Sequence, residues 1–274
     1  MEFGLLGPLS VVDGDTERTP TAPKQRQMLA LLLLHANHVV SMAQFTEELW
    51  EGDPPASAVA AVHTYIMQLR RTMHGGPAGD GIPAERLTTR EHGYRLEVRP
   101  GELDLDVFEA RLRVARDALA NNEDGFAARQ LRSALDLWRT HVLVDVPAGP
   151  LLRATIARIE RNRLDAIGQR ICADLNLGRH HELIGELSAL VYHHRTSEDL
   201  AAQLMLALYR SGRQADALAT FHRLRRVLRD DVGAIPSPRM HQLYTDILSA
   251  HPRLETSSST RTPLSLDLIA APSS

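Results

Sequence analysis

The sequence predicts a mainly α-helical protein with a small β component, and three observations support that fold class. A strand-like stretch opens the chain. Three helical segments and a short hairpin pattern then complete the first hundred residues. In the second half, a glycine-arginine pair that precedes a helical segment recurs at an offset of 34 residues. That offset is the period of tetratricopeptide helical hairpins, so this half is predicted to be an array of paired helices.

Length and composition point to an intracellular protein with two domains. The chain has 274 residues, enough for two hydrophobic cores. Cys172 is the single cysteine, which excludes an intramolecular disulfide and favours a reducing compartment. The N-terminus has no basic and apolar signal pattern, and the longest apolar stretch, 28–34, is too short to span a membrane. We therefore expect a cytoplasmic protein with no membrane partner.

Motifs of the common enzyme classes are missing from the sequence. Lys24 is the only lysine and lies between proline and glutamine, so a Walker A loop is excluded. Neither GxGxxG, HExxH, GxSxG nor CxxC occurs. The histidine pairs 180–181 and 193–194 have no nearby cysteine and lie in helical contexts rich in Arg and Glu, typical of solvated or capping side chains. The sequence thus predicts a protein that is not an enzyme and holds no metal or cofactor.

The first hundred residues show a sequence of short elements with clear boundaries. Residues 2–12 alternate as a strand that Gly7-Pro8 interrupts. A helix over 24–35 is apolar nearly all round, which predicts a central place in a small core. Ser41 and Gln44 form a capping box that opens a second helix. Pro54-Pro55 ends the following loop, and Ser57 is a suitable N-cap for a third helix that reaches Met73.

The third helix is amphipathic, with an outer face that is small, polar and cationic. Ile66, Leu69 and Met73 fall within about 40° of Val62 at 100° per residue. No acidic residue occurs from 57 to 73. Such a helix suits the DNA major groove, although an ordinary surface helix with arginines near its C-terminus would show the same pattern. The outer face carries Ala60, His63, Thr64, Met67 and Arg71, with Arg70 on its flank.

A hairpin behind the third helix completes the pattern of a winged helix-turn-helix. A loop is predicted over 75–83, and alternating strands over 87–90 and 94–98 flank a turn at 91–93. In this arrangement the third helix enters the major groove, and the hairpin tip, which carries Arg90, can reach the adjacent minor groove. Residues 1–100 carry nine Lys and Arg against twelve Asp and Glu, a net charge of −3. DNA affinity must therefore come from local placement of cations.

The second half is predicted to be an α-helical tetratricopeptide-like repeat domain. Helical patterns cover 105–121, 125–138 and 151–177, the last with Cys172 as a core residue. Stacked helix pairs leave a concave face for protein contacts. A helical bundle with chance similarity between segments is the alternative. After Pro252 the chain is rich in Ser, Thr and Pro, so a disordered tail is expected. The predicted domains are residues 1–100, 101–252 and 253–274.

The motifs along the chain resemble those of the Streptomyces antibiotic regulatory proteins. In the N-terminal domain, LLGPL (5–9), LWEGDPPASA (49–58), VHTYIMQLRR (62–71) and HGYRLEV (92–98) are similar to that family's OmpR-type winged helix. Further on, DLDVFEARL (104–112), DVPAGPLL (145–152) and GAIPSPRMHQL (233–243) are similar to its bacterial transcriptional activator domain. The resemblance spans about residues 2–250 and departs from the family at 193–198.

The resemblance implies a transcriptional activator of an antibiotic biosynthetic gene cluster that binds direct repeats in promoter DNA and recruits RNA polymerase holoenzyme. Two head-to-tail subunits, a homodimer formed on DNA, would share one face of the duplex. In related activators the loop that here carries Glu51 and Asp53 meets RNA polymerase. The implied DNA-binding residues are Ala60, His63, Thr64 and Met67 toward bases, Arg70 and Arg71 toward phosphates, Arg90 and His92 at the minor groove, and Lys24 and Arg26 toward phosphate.

Two other functions remain open at this point. A ligand-gated repressor would bind the same DNA, but its deletion would raise transcription of the target genes. A scaffold that uses only its helical repeats for protein contacts would not retain promoter DNA at all. Binding of a ligand or partner to the helical domain is a further expectation, because that domain presents a concave face.

Overall fold

The structure is a computed structural model that describes residues 1–74 and 86–255, and it confirms the predicted fold class. The predicted loop at 75–83 and the tail from residue 256 onward lie outside the described residues. No helix within the described ranges is both long and apolar enough to cross a membrane. The described elements are β1 (Glu2–Gly4), β2 (Ser10–Asp13), β3 (Thr16–Glu17), α1 (Pro23–Leu34), β4 (Val39–Ser41), α2 (Met42–Trp50), α3 (Ala58–His74), β5 (Leu87–Arg90), β6 (Gly93–Leu96), α4 (Asp104–Ala120), α5 (Asp124–Leu135), α6 (Pro150–Asn176), α7 (His180–His193), α8 (Glu198–Arg210), α9 (Gln214–Val227) and α10 (Pro238–Leu248).

By its internal contacts the chain divides into two compact units, and neither is continuous in sequence. Unit 1 comprises Met1–Arg113 and Ser133–Asp165. Unit 2 comprises Val114–Arg132 and Ala166–Ser274. Residues 133–165 therefore group with the N-terminal elements, although they follow the boundary predicted near residue 100. The functional domain boundaries at 100 and 252 stay predictions.

Unit 1 is built around α1, whose residues 27–33 are all buried. Helices α2 and α3 pack against α1 and against each other. Strands β1, β2 and β3 form one antiparallel sheet, and β4, β6 and β5 form a second in that order. The capping box at the start of α2 is present, with the Gln44 amide N–H donating to Ser41 Oγ at 3.2 Å. Strands β3 and β4 were not predicted from the sequence, because they are too short to show alternation.

The N-terminal segment around Gly7 is held by acidic side chains from distant parts of unit 1. Asp104 accepts hydrogen bonds from the backbone amides of Leu5 at 2.8 Å and Leu6 at 3.0 Å. Asp145 accepts from the amide of Leu9 at 2.9 Å. Burial raises the pKa of Asp104 in spite of the amide bonds that favour its ionised form. The Asp145 bond joins residues 133–165 to the N-terminal segment of the same unit.

Unit 2 contains the predicted repeat, in which α7 pairs with α8, α8 with α9, and α9 with α10. Gly178 and Gly212, 34 positions apart, both adopt positive φ, +83° and +77°. The amide of the next residue, Arg179 or Arg213, donates to the carbonyl five residues earlier, at 3.0 and 2.8 Å. Both helices before these glycines thus end in the same Schellman-type arrangement, which requires a left-handed residue. The repeat is structural as well as sequential.

Candidate nucleic-acid interface

Helix α3 buries the stripe that the sequence predicts and exposes the opposite face. Val62, Ile66, Leu69 and Met73 are at most 1% exposed. They seal α3 against the core of unit 1, so the orientation of the helix about its own axis is fixed by apolar burial. Its outer face is therefore presented to solvent as a rigid surface, and the exposed side chains on it are Ala60, His63, Thr64, Met67, Gln68 and Arg71.

The exposed face of α3 combines a hydrogen-bond acceptor with apolar surface. Thr64 Oγ1 donates to the Ala60 carbonyl at 2.9 Å, which commits the hydroxyl hydrogen and leaves the oxygen lone pairs to accept. Met67 is 64% exposed. The His63 ring lies edge-on to Tyr94, with ring centroids 6.4 Å apart. A base amino group and a thymine methyl group are the kinds of partner that this chemistry fits.

One exposed side chain on α3 was missed by the sequence analysis. Val59 is 55% exposed in the first turn of the helix. Its helical angle lies beside the buried stripe, which predicts partial burial. In the structure it is nonetheless more than half exposed, and it extends the apolar surface next to His63.

The two adjacent arginines of α3 have different environments. Arg70 is half-buried: its Nε donates to the Leu87 carbonyl at 2.9 Å, and its Nη2 donates to Thr89 Oγ1 at 3.0 Å. Its guanidinium also lies 5.8 Å from the centre of the Tyr94 ring. Arg71 is exposed. Arg70 therefore ties α3 to β5, and the phosphate contacts expected of both arginines stay predictions.

The hairpin packs closely against the start of α2. A Cβ atom at Gly93 would lie 2.0 Å from the Val40 carbonyl oxygen, so only glycine permits this approach of β6 to β4. The Met42 amide donates to the His92 carbonyl at 3.1 Å. At the tip, Arg90 and His92 are exposed. The structure thus places both tip residues on the surface beside α3, where Arg70 holds the hairpin.

Lys24 and Arg26, at the start of α1, are occupied by partners within unit 1. Lys24 Nζ donates to the Leu49 carbonyl, which satisfies an acceptor near the C-terminus of α2. Arg26 forms an ion pair with Asp145, and its Nη1 donates to the Pro20 carbonyl at 3.1 Å. Internal acceptors therefore engage both side chains, and the phosphate contacts expected of these two residues stay predictions.

The loop after α2 presents two acidic side chains. Glu51 adopts a left-handed φ of +52° as the C-cap residue, and its carboxylate accepts from Arg153 Nη1 at 2.8 Å. The hydrogen bond and the charge of Arg153 hold the pKa of Glu51 below its ordinary value. Asp53 is exposed. The loop thus presents two carboxyl groups, one of which is already bound to an arginine.

Glu48 is a buried carboxylate that sequence reasoning missed. It is 1% exposed and accepts hydrogen bonds from the amides of Gly149 at 2.6 Å, Leu151 at 2.9 Å and Leu152 at 3.0 Å. These amides belong to the N-terminus of α6, where backbone N–H groups have no partner within the helix. Glu48 therefore fixes α2, the helix before α3, to the start of α6. Its place on the inner face of α2, between Phe45 and Leu49, was the available signal.

Two family models match the chain. One described as "Bacterial transcriptional activator domain" matches residues 103–248. A second, described as "Transcriptional regulatory protein, C terminal", matches residues 16–96. Together they cover the three helices, the hairpin and the helical array.

Curated relatives and a solved structure are similar over most of the chain. The regulatory protein DnrI of Streptomyces peucetius is 41% identical, with 93% of this chain and 94% of DnrI aligned. The regulatory protein AfsR of Streptomyces coelicolor is 38% identical, but the alignment spans 93% of this chain and only 25% of AfsR. A structure of Mycobacterium tuberculosis EmbR in complex with a low-affinity phosphopeptide has a TM-score of 0.85 and 33% identity, and covers 92% of this chain and 65% of EmbR.

Proposed function

Since this chain belongs to the Streptomyces antibiotic regulatory protein family, we propose that it activates transcription of a secondary-metabolite gene cluster by binding direct repeats in promoter DNA. Its relatives DnrI and EmbR are regulatory proteins. The observation that carries the proposal is the outer face of α3, which is exposed, rigid and free of acidic residues over 58–73. We further propose that the protein acts in the cytoplasm, as a homodimer formed on DNA.

On this proposal α3 lies in the major groove and its exposed residues divide by chemistry. Thr64 accepts from base amino groups, and Met67 contacts thymine methyl groups, with Ala60 and His63 beside them. Arg71, exposed near the helix end, binds phosphate. Arg90 and His92 at the hairpin tip enter the adjacent minor groove, where a narrow groove attracts cations. Arg70 holds the hairpin in register with α3.

Contact with RNA polymerase is proposed for the loop after α2. Glu51 and Asp53 are exposed there and lie at the opposite end of α2 from its capping box. The ion pair of Glu51 with Arg153 orients one carboxylate and leaves Asp53 as the more available charge. An acidic loop suits a basic surface on the polymerase.

Binding measurements with promoter fragments test the division of roles. Arg71→Ala is expected to weaken binding to cognate and random DNA alike and to reduce the salt slope by roughly one unit. Thr64→Ala and Met67→Ala are expected to cost about 1–3 kcal/mol on the cognate site alone. Fluorescence anisotropy at several salt concentrations separates the two outcomes. If Arg71→Ala weakens binding to the cognate site only, Arg71 contacts a base and its assignment to phosphate is wrong.

The cognate site and the direction of control are found in cells. DNA recovered by immunoprecipitation of this protein identifies the operator, and deletion of the gene should lower transcription of the genes beside it. A rise in transcription would indicate the ligand-gated repressor instead. Failure to retain any promoter DNA would favour the protein-interaction scaffold and end the proposal.

A further inference from the structure

A groove between α7 and α9 in unit 2 has a composition that none of the DNA-binding features explains. It encloses about 710 Å³. The α9 residues that line it are 220, 223, 224 and 227, which lie on one face of the helix. They span two turns, or about 10 Å along the helix axis. Opposite it, Val191 and Tyr192 come from α7, and Arg195 from the turn that follows. A groove of this length accommodates about three residues of an extended chain.

The charges in this groove are unbalanced. Arg195 and Arg223 line it, and its described lining includes no acidic side chain. Neither arginine has a hydrogen-bonded or ion-paired partner among the residues that the structure describes. Two other exposed arginines of unit 2 do have partners: Arg213 pairs with Asp216 at 2.7 Å, and Arg229 pairs with Asp230 at 2.8 Å. The two groove arginines are left available for an anionic partner.

The groove also offers apolar surface between its cations. Leu224 and Val227 form a buried floor, at 3% and 7% exposure. Tyr192 is 75% exposed, unusual for so large an aromatic side chain, and its ring forms one wall. An apolar floor, an exposed tyrosine and flanking arginines are the residue types enriched where proteins bind each other.

We propose that the α7–α9 groove binds an acidic peptide segment of a protein partner. An apolar side chain of the segment packs on Leu224 and Val227 against Tyr192, and its carboxylates pair with Arg195 and Arg223. This site is separate from the surface proposed to bind DNA. Its test therefore stands whether or not the proposed DNA binding holds.

The full chain can be titrated into fluorescein-labelled peptides of about twelve residues, long enough to exceed the groove. The test peptides carry a central leucine flanked by glutamates, and the control peptides carry glutamines in place of the glutamates. We expect the glutamate peptides to bind at least tenfold more tightly than the glutamine peptides. Arg223→Glu should weaken binding at least tenfold, and Tyr192→Ala several-fold.

Arg225→Glu is the matched control, because Arg225 is exposed on the same helix but about 150° from the groove face. Its affinity should remain within about twofold of that of the unmodified chain. Arg223→Gln, with far-ultraviolet circular dichroism, shows that any loss comes from the charge and not from misfolding. The proposal is overturned if glutamate peptides do not bind at about 1 mM protein, if both series bind equally, or if Arg225→Glu is as damaging as Arg223→Glu.

Discussion

Replacing Glu48 with glutamine should destabilise unit 1 far more than the same change at its neighbour Glu47. Glu48 is buried, and its two carboxylate oxygens accept from three backbone amides at the start of α6, at 2.6–3.0 Å. It also accepts from Gln27 Nε2 at 3.0 Å. Glu47 is exposed on the same helix. The pair thus isolates the buried contact from the helix propensity of the residue.

The magnitude follows from the acceptors that are lost. Glutamine keeps one oxygen, and its NH₂ group would face backbone N–H donors that then have no acceptor. A hydrogen bond to a charged group is worth about 1.5–3 kcal/mol, and an unsatisfied buried donor costs about 1–3 kcal/mol. Since at least one and as many as two of the three amides lose their acceptor, Glu48→Gln should cost about 3–5 kcal/mol. Glu47→Gln should stay within about 0.5 kcal/mol.

The chain provides its own reporter for this measurement. Its two tryptophans, Trp50 and Trp138, both lie in unit 1, so tryptophan fluorescence follows the unfolding of that unit. Urea titrations of both variants give the difference in free energy from the midpoints, at constant slope. The reasoning is refuted if the Glu48→Gln midpoint matches that of Glu47→Gln. In that case the carboxylate does not hold the start of α6.

Two further predictions concern the hairpin and the helical repeats. Arg70→Met should accelerate amide hydrogen exchange in β5 and lower affinity for cognate DNA several-fold, whereas Arg71→Met should leave the exchange unchanged. Equal exchange in both would contradict the bracing role of Arg70. Burial, aided by the charges of Arg210 and His181, lowers the pKa of His180. Because the folded state resists protonating this imidazole, its contribution to stability is present above about pH 6.5 and is lost as the pH falls through the lowered pKa. The protection factors of the α7 amides, which correct for the intrinsic slowing of exchange in acid, should therefore fall on acidification, and His180→Gln should reduce that pH dependence; an unchanged dependence would refute the assignment.

Much of the fold was predictable because its signals are local. The apolar stripe of α3, the capping box at Ser41 and the repeated glycines at 178 and 212 each depend on residues within a few turns of one another. Helical periodicity and left-handed caps act over such distances, so the sequence predicts them directly. The short strands β3 and β4 were not predicted, because a segment of two or three residues is too short to show an alternating pattern.

The roles of individual cations were decided by contacts that periodicity does not encode. Arg70 and Arg71 are adjacent in sequence and identical in type, yet 100° of helical rotation directs one to the hairpin and the other to solvent. Arg26 looked available at the start of a helix, but Asp145 occupies it from 119 positions away. A sequence shows that such side chains are charged and does not show what lies opposite them.

The sequence by itself determined which segments are helical, which face of α3 is buried and that the second half repeats. The tertiary structure alone decided that residues 133–165 belong with the N-terminal elements. Two bonds join these segments: Asp145 accepts from Leu9 across 136 positions, and Glu48 accepts from Leu151 across 103. The physical reason is the range of the interactions. Side-chain periodicity follows from the geometry of one helix, whereas a buried carboxylate takes whichever amides the completed fold brings to it.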